Sequence, residues 1–190
     1  MSKLVWKGST QLSPLPAVLV TCGSAEKPNI LTIAWTGIVC SQPPRTYISV
    51  RPERYSHALL CETGEFVINL TTESLCRAAD YCGVRSGRDE DKLAAMHLET
   101  EPGETVNVPV LAASPLALEC KVFERVPLGS HDMFLADITA IRVDEKYIDA
   151  AGKLSLDDAG LLAYTHGEYR ALGKVLGTFG YSVRKKPLRK

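Results

Sequence analysis

The stretch LALECKVFERVPLGSHDMFLADITAIRVDEKYI, residues 116–148, holds two long runs on either side of Gly129-Ser130-His131. Both are rich in β-branched and aromatic side chains, which favour a pleated surface. In the second run Phe134, Ala136, Ile138 and Ala140 fall on one face and Leu135, Asp137, Thr139 and Ile141 on the other, the period-two signature of a strand. Residues 116–128 and 132–148 therefore read as two long strands joined by a short turn.

Working outward, the early segments AVLVTC (17–22), NILTIAWTGIVC (29–40) and TYISV (46–50) read as further strands bounded by Pro, Gly and Asn. The tight KPN connection (27–29) predicts a hairpin between the first two, and Pro43-Pro44 fixes an extended entry into the third. RYSHALLCETG (54–64) reads as a short helix closed by Gly64, followed by the strand EFVINL (65–70). Leu75, Ala78, Ala79 and Cys82 recur at helical spacing in 72–83, with Thr72 as a candidate cap, and 88–97 reads as a second short helix. Long antiparallel runs with helices inserted between them point to a mainly β, small closed barrel rather than a parallel α/β sheet. The chain, 1–190, reads as one domain. Tyrosines 164, 169 and 181 mixed with glycines 167, 173, 177 and 180 make 162–182 read as a fitted loop, neither strand nor long helix, over a core, a ligand or a second subunit.

Lys+Arg and Asp+Glu each number 22, so no basic face argues for nucleic acid; the basic tail 184–190 reads as a solvated terminus. No apolar run is long enough for a membrane span, and the first residues lack the apolar core of a secretory signal. The expectation is a cytoplasmic protein whose six scattered cysteines, with no CxxC pair and no zinc spacing, are buried free thiols.

Dinucleotide, P-loop, zinc-protease and nucleophile-elbow motifs are all absent from the sequence. Such poverty in acid–base machinery is what a cofactor that brings the reactive group would leave. Three patches carry the remaining chemistry. SVRPERYSHALL (49–60) collects Arg51, Arg54 and Ser56 at a strand-to-helix junction. Guanidinium forks and a helix N-terminus suit a phosphate, while surface arginines and a capping serine would look the same. YCGVRSGRDEDK (81–92) repeats that character with Ser86, Gly87 and Lys92, or is a plain turn between helices. LTIAWTGIVCSQPP (31–44) alternates small and hydroxyl residues around Trp35, leaving room against a flat ring, or packs as an ordinary barrel strand.

Taken together, NILTIAWTGIVCSQPPRTYISVRPERYSHALLCETGEFVINL (29–70) followed by AADYCGVRSGRDEDK (78–92) resembles the flavin reductase-like FMN-binding split-barrel family, in its flavoredoxin-like branch. The resemblance spans residues 12–182, and RPxRYS and SGRDxDK are its specific elements. It implies a homodimeric Greek-key split barrel holding noncovalent FMN near the subunit interface, with 162–190 as a tail covering the ligand. Thr32, Ala34, Trp35 and Thr36 would lie along the ring, with Cys40 at its polar edge or beneath it. Arg51, Arg54, Ser56, Ser86, Gly87 and Lys92 would hold the ribityl-phosphate end, and Tyr164 and Tyr169 would cover the flavin. His131, in a GSHD turn, matches a histidine near the face where nicotinamide docks, which makes it a candidate proton donor; an exposed turn histidine is the alternative. The implied function is an oxidoreductase passing electrons from a small-molecule or protein donor, NAD(P)H a candidate, through FMN to flavin or another acceptor. A flavoredoxin-type carrier without a nicotinamide site and a non-catalytic flavin-binding protein are the competing readings.

Overall fold

In the computed structural model, which describes residues 1–184, the chain order is β1 (Leu15–Pro16), β2 (Val18–Gly23), β3 (Pro28–Ile33), β4 (Thr36–Ser41), β5 (Pro44–Val50), α1 (Tyr55–Thr63) and β6 (Glu65–Asn69). There follow α2 (Cys76–Val84), α3 (Lys92–Ala95), β7 (Thr100–Glu101), β8 (Val110–Leu111), β9 (Leu116–Pro127), β10 (Asp132–Val143), β11 (Leu162–Thr165) and β12 (Glu168–Ala171). Residues 185–190 of the basic tail lie outside the described residues.

Seven strands form one sheet in the order β3-β2-β6-β9-β10-β5-β4. Its centre is the β9–β10 hairpin expected from the sequence, antiparallel from Leu116↔Val143 to Pro127↔Asp132, with register shifts after Leu135 and Ile138; its second strand stops at Val143 rather than 148, where a 3-10 turn (Glu145–Tyr147) begun by the Asp144 carboxylate follows. Such bulges bend and twist a long ribbon, and here the sheet rolls until β3 touches β5 without a ladder between them. The result is a barrel with one open seam, the split-barrel fold. Its interior is filled by Val18, Val20, Leu31, Ile48, Phe66, Ile68, Phe134 and Ala136, joined by Leu60 from α1. Outside, Leu75, Ala78 and Cys82 of the α2 region and Leu93 of α3 pack on Leu19 and Ile30, so α2 is strapped to the back of β2 and β3 by its apolar stripe.

The expected β2–β3 hairpin forms, with Gly23 opposite Pro28, but its turn is Ser24–Lys27 rather than the KPN segment, whose Pro28 and Asn29 already belong to β3. Helix α1 ends where expected: Gly64 adopts φ 64° and its N–H returns to the Leu60 carbonyl at 3.0 Å, the left-handed C-terminal geometry that glycine permits. Four further expectations are corrected. The apolar run 29–40 is not one strand but β3 and β4, interrupted at Ala34-Trp35, where the Trp35 carbonyl accepts the Ser49 N–H at 3.0 Å instead of a β-ladder partner. Thr72 does not cap α2; its hydroxyl pairs with Ser74 at 2.8 Å, and a 3-10 turn (Glu73–Leu75) precedes the helix. The helix expected over 88–97 is the single turn α3, begun by the Asp91 carboxylate, which accepts from the N–H groups of Leu93 and Ala94. The first part of the C-terminal region, 162–171, is no irregular loop: β11 and β12 pair through a turn with His166 at φ 48° and Gly167 at φ 89°, the backbone of a tight hairpin turn, and β11 pairs with β1, whereas 172–180 forms neither strand nor helix, as expected. Among the described residues, no helix is long and apolar enough to cross a membrane.

Candidate functional site

The break after β3, the end of β5 and one face of α2 enclose a cleft of about 530 Å³ that opens under the β11–β12 hairpin. A second hollow of about 410 Å³ continues from it. The two share Leu31, Thr32, Arg51, Arg54 and Gly83, so they form one elongated site with two chemically different ends.

The first end is walled by apolar and aromatic groups. Ala34 and Trp35 sit where the strand breaks, and the His131 ring meets Trp35 edge-on at 5.0 Å between centroids. Burial pushes the His131 imidazole below its ordinary value of 6.5, and the neighbouring Arg51 charge adds to this. Across the cleft Tyr164 and Tyr169 face each other in the β11–β12 register, their rings 5.5 Å apart. Burial, then the Asp80 carboxylate, pushes the Tyr169 phenol up to about 12, so it remains protonated. Thr32 reaches the cleft, but its hydroxyl donates to the Ala79 carbonyl and ties α2 to β3.

The second end is polar and cationic. No side chain caps α1: Arg54 occupies the N-cap position, and Ser56 lies inside the first turn. Thus Ser56 is not the cap. It is buried and accepts a hydrogen bond from Asn29 Nδ2 at 2.7 Å, which leaves its own hydroxyl proton to donate. Arg51 makes a loose pair with Glu53 at 3.5 Å, whereas among the described residues Arg54 has no carboxylate within ion-pair distance. Lys92 is buried, and its Nζ donates to the carbonyls of Cys82 and Arg85, each at 3.2 Å. Burial lowers its pKa, with the Arg54 charge pushing the same way against the neighbouring thiols. Among the described residues no carboxylate lies within ion-pair distance of this ammonium, Glu90 acting only from farther away, so a buried cation is left without a direct ionic partner.

Glycine is required where the walls are tightest. A Cβ on Gly87 would stand 1.9 Å from Asn29 Oδ1, and one on Gly83 would press Thr32 at 3.3 Å. Both positions line the polar end.

Of the residues singled out from the sequence, Thr32, Ala34, Trp35, Arg51, Arg54, His131, Tyr164 and Tyr169 line the apolar end or its mouth. Ser56, Ser86, Gly87 and Lys92 line the polar end. Thr36 and Cys40 are not brought to the cleft. Both lie on β4, which turns away after the break; the Thr36 hydroxyl donates to the Tyr47 carbonyl at 2.6 Å, and Cys40 Sγ faces the Gln42 carbonyl. Asp80, Val84, His166 and the segment Thr10–Leu12 join the lining without having been singled out. The α2 members had a signal: Asp80, Gly83 and Val84 share the three-and-four spacing of one helix face. Among the described residues, no group of three His, Cys, Asp or Glu side chains is placed to hold a metal.

Comparison with known proteins places this geometry. A family model described as "Flavin reductase like domain" matches residues 10–173. The flavoredoxin of Desulfovibrio vulgaris (Miyazaki F) superposes with a TM-score of 0.88 at 31% identity, covering 96% of this chain and 100% of its own. A flavoredoxin from Methanosarcina acetivorans gives 0.87 at 25% identity, covering 97% and 100%. An FMN-binding protein from Thermus thermophilus, solved with 1-cyclohex-2-enone, gives 0.76 at 25%, covering 90% and 96%.

Proposed function

The chain belongs to the flavin reductase-like domain family, and from that premise we propose that it is an oxidoreductase that binds FMN noncovalently and passes electrons from a reduced donor to an acceptor. The observation that carries this reading is the two-ended cleft: an end lined by Ala34, Trp35, Tyr164 and Tyr169, continuous with a cationic end whose Arg54 and buried Lys92 have, among the described residues, no carboxylate within ion-pair distance. The fit is chemical as well as steric. A phosphate would supply the missing negative charge, and the absent side chains of Gly83 and Gly87 leave room for its approach.

In this reading Arg51, Arg54, Lys92, the Ser56 and Ser86 hydroxyls and the open first turn of α1 hold the phosphate. Thr32, Ala34 and Trp35 flank the ring, and Tyr164 and Tyr169 close over it and exclude water. Bound FMN would supply the two-electron chemistry that these side chains lack. With its pKa lowered, His131 is a neutral imidazole near pH 7, so it would donate from a ring N–H rather than as imidazolium; unchanged turnover in His131→Ala would remove it from the mechanism.

The donor is NAD(P)H or a reduced protein, and the acceptor is free flavin or a protein. The likeness to two flavoredoxins favours the carrier form of the proposal, in which a protein donor replaces the nicotinamide. We propose further that the working unit is a homodimer. Strand β4 is a sheet edge carrying exposed Ile38 and Val39 beside Trp35, and both chain ends display Leu4, Val5, Trp6, Val175, Leu176 and Phe179. Unpaired edges and clustered apolar surface of this kind mark an interface; a monomer in sedimentation equilibrium at micromolar concentration would refute it.

The visible spectrum of the purified protein, recorded anaerobically before and after adding NADH, tests the function. We expect an oxidised-flavin spectrum, directly or after adding FMN. Bleaching by NADH identifies a reductase, and bleaching only by a reduced protein donor identifies a carrier. A protein that is colourless and takes up no FMN overturns the proposal.

A further inference from the structure

Four residues outside the cleft form a cluster of their own. His57 and Cys61 are one turn apart on α1, and Cys61 Sγ lies 3.7 Å from His57 Nδ1. The other ring nitrogen, Nε2, is 2.8 Å from Asp132 Oδ2, with both side chains only 12% exposed. A carboxylate only accepts, so Nε2 carries the proton and the Nδ1 lone pair is turned to the thiol. The His57 ring is held edge-on against Phe134 at 5.4 Å. From β9, Arg125 donates through Nη1 to Cys61 Sγ at 3.1 Å, while its Nε lies 3.8 Å from the same Asp132 oxygen.

The remaining thiols are built differently. All six cysteines are free, but only Cys61 is exposed; Cys22, Cys82 and Cys120 are buried, and Cys40 and Cys76 are half-buried. The expectation of six buried thiols therefore fails at Cys40, Cys61 and Cys76, and most completely at Cys61. Burial pushes Cys22 and Cys82 up to about 11 and Cys120 higher still, so these three stay protonated and inert at neutral pH. A thiol that is accessible, faces a basic nitrogen and is touched by a guanidinium has the surroundings of a reactive one.

We propose that Cys61 is a thiol–disulfide exchange site that takes up a low-molecular-weight disulfide. The Sγ proton passes to His57 Nδ1, and the imidazolium so formed is held against Asp132. The thiolate, paired with Arg125, attacks one sulfur of R–S–S–R. The Cys61–S–S–R bond forms as the original S–S bond breaks, and the departing thiolate takes the proton from His57 to leave as R–SH. One disulfide replaces another, so no further oxidant enters.

The test uses the full-length protein at pH 7 with oxidised glutathione as the probe, followed by intact mass and peptide mapping. A single adduct on Cys61, reversed by dithiothreitol and absent from Cys61→Ser, is expected. His57→Gln removes the group that takes the Sγ proton and Arg125→Gln the guanidinium that touches the sulfur, so each should slow the reaction roughly tenfold. Arg125 is 49% exposed, so its replacement leaves the fold intact. No adduct, an adduct forming first on Cys40 or Cys76, or a wild-type rate in either variant overturns the proposal.

Discussion

Glu119→Ala should lower stability by about 3–5 kcal/mol, because it removes a buried charge that several donors share. Glu119 sits fully buried on β9. Its carboxylate accepts from the Glu104 N–H at 2.9 and 3.1 Å, from the Thr105 N–H at 2.6 Å and from the Thr105 hydroxyl at 2.7 Å. These bonds pin the loop that delivers Val106, Val108 and Val110 onto Val67 and Ala117. Removing the carboxylate orphans the donors and loosens that cluster, and for a chain of this size the midpoint of thermal unfolding should fall by roughly 10 °C.

The same group makes stability pH-dependent. Burial opposes ionisation of Glu119, but the N–H groups of Glu104 and Thr105 and the Thr105 hydroxyl outweigh it and hold the carboxyl below its ordinary 4.5. A folded-state value depressed below the unfolded one contributes stability above pH 4.5 that is lost as pH falls through the folded value. The gap between wild type and Glu119→Gln should therefore shrink on acidification. A gap of equal size at neutral pH and well below 4.5 would show that the charge contributes nothing.

Arg54→Ala should weaken FMN binding by about 1.5–3 kcal/mol, the scale of a charge-assisted hydrogen bond, or roughly 10- to 150-fold in Kd. Riboflavin, which lacks the phosphate, should bind the variant and the wild type alike. Titration of protein with each flavin measures both. Equal affinity of the wild type for FMN and riboflavin would place no phosphate at the cationic end, whatever the variant did.

What the sequence made legible follows its local signals. The β9–β10 hairpin, the pairing of β2 with β3 and the Gly64 end of α1 each depend on patterning within a few residues. The cationic junction at Arg51 and Arg54 was legible because a strand, two arginines and a helix start are consecutive. The break at Ala34-Trp35 was not, since no glycine or proline punctuates an apolar run that tertiary packing bends. Two four-residue strands at 162–171 are too short for alternation to emerge above their aromatic and glycine content. The partners of Cys61 were hidden for another reason: Arg125 and Asp132 reach it across 64 and 75 positions measured from Cys61 and His57 respectively, and no spacing rule links them.

The pairing of Leu15 with Tyr164 and of Pro16 with Ala163 joins segments far apart along the chain, whereas the cationic end is assembled within residues 31–92. That small three-stranded sheet contributes nothing to the three apolar clusters of the interior. It therefore has little buried apolar contact to lose on opening. Whatever fills the cleft is gripped by this cover only in the closed form, so occupancy draws the equilibrium toward closure by mass action. Resistance of the β1 and β11–β12 segments to a protease thus becomes a direct gauge of how full the cleft is.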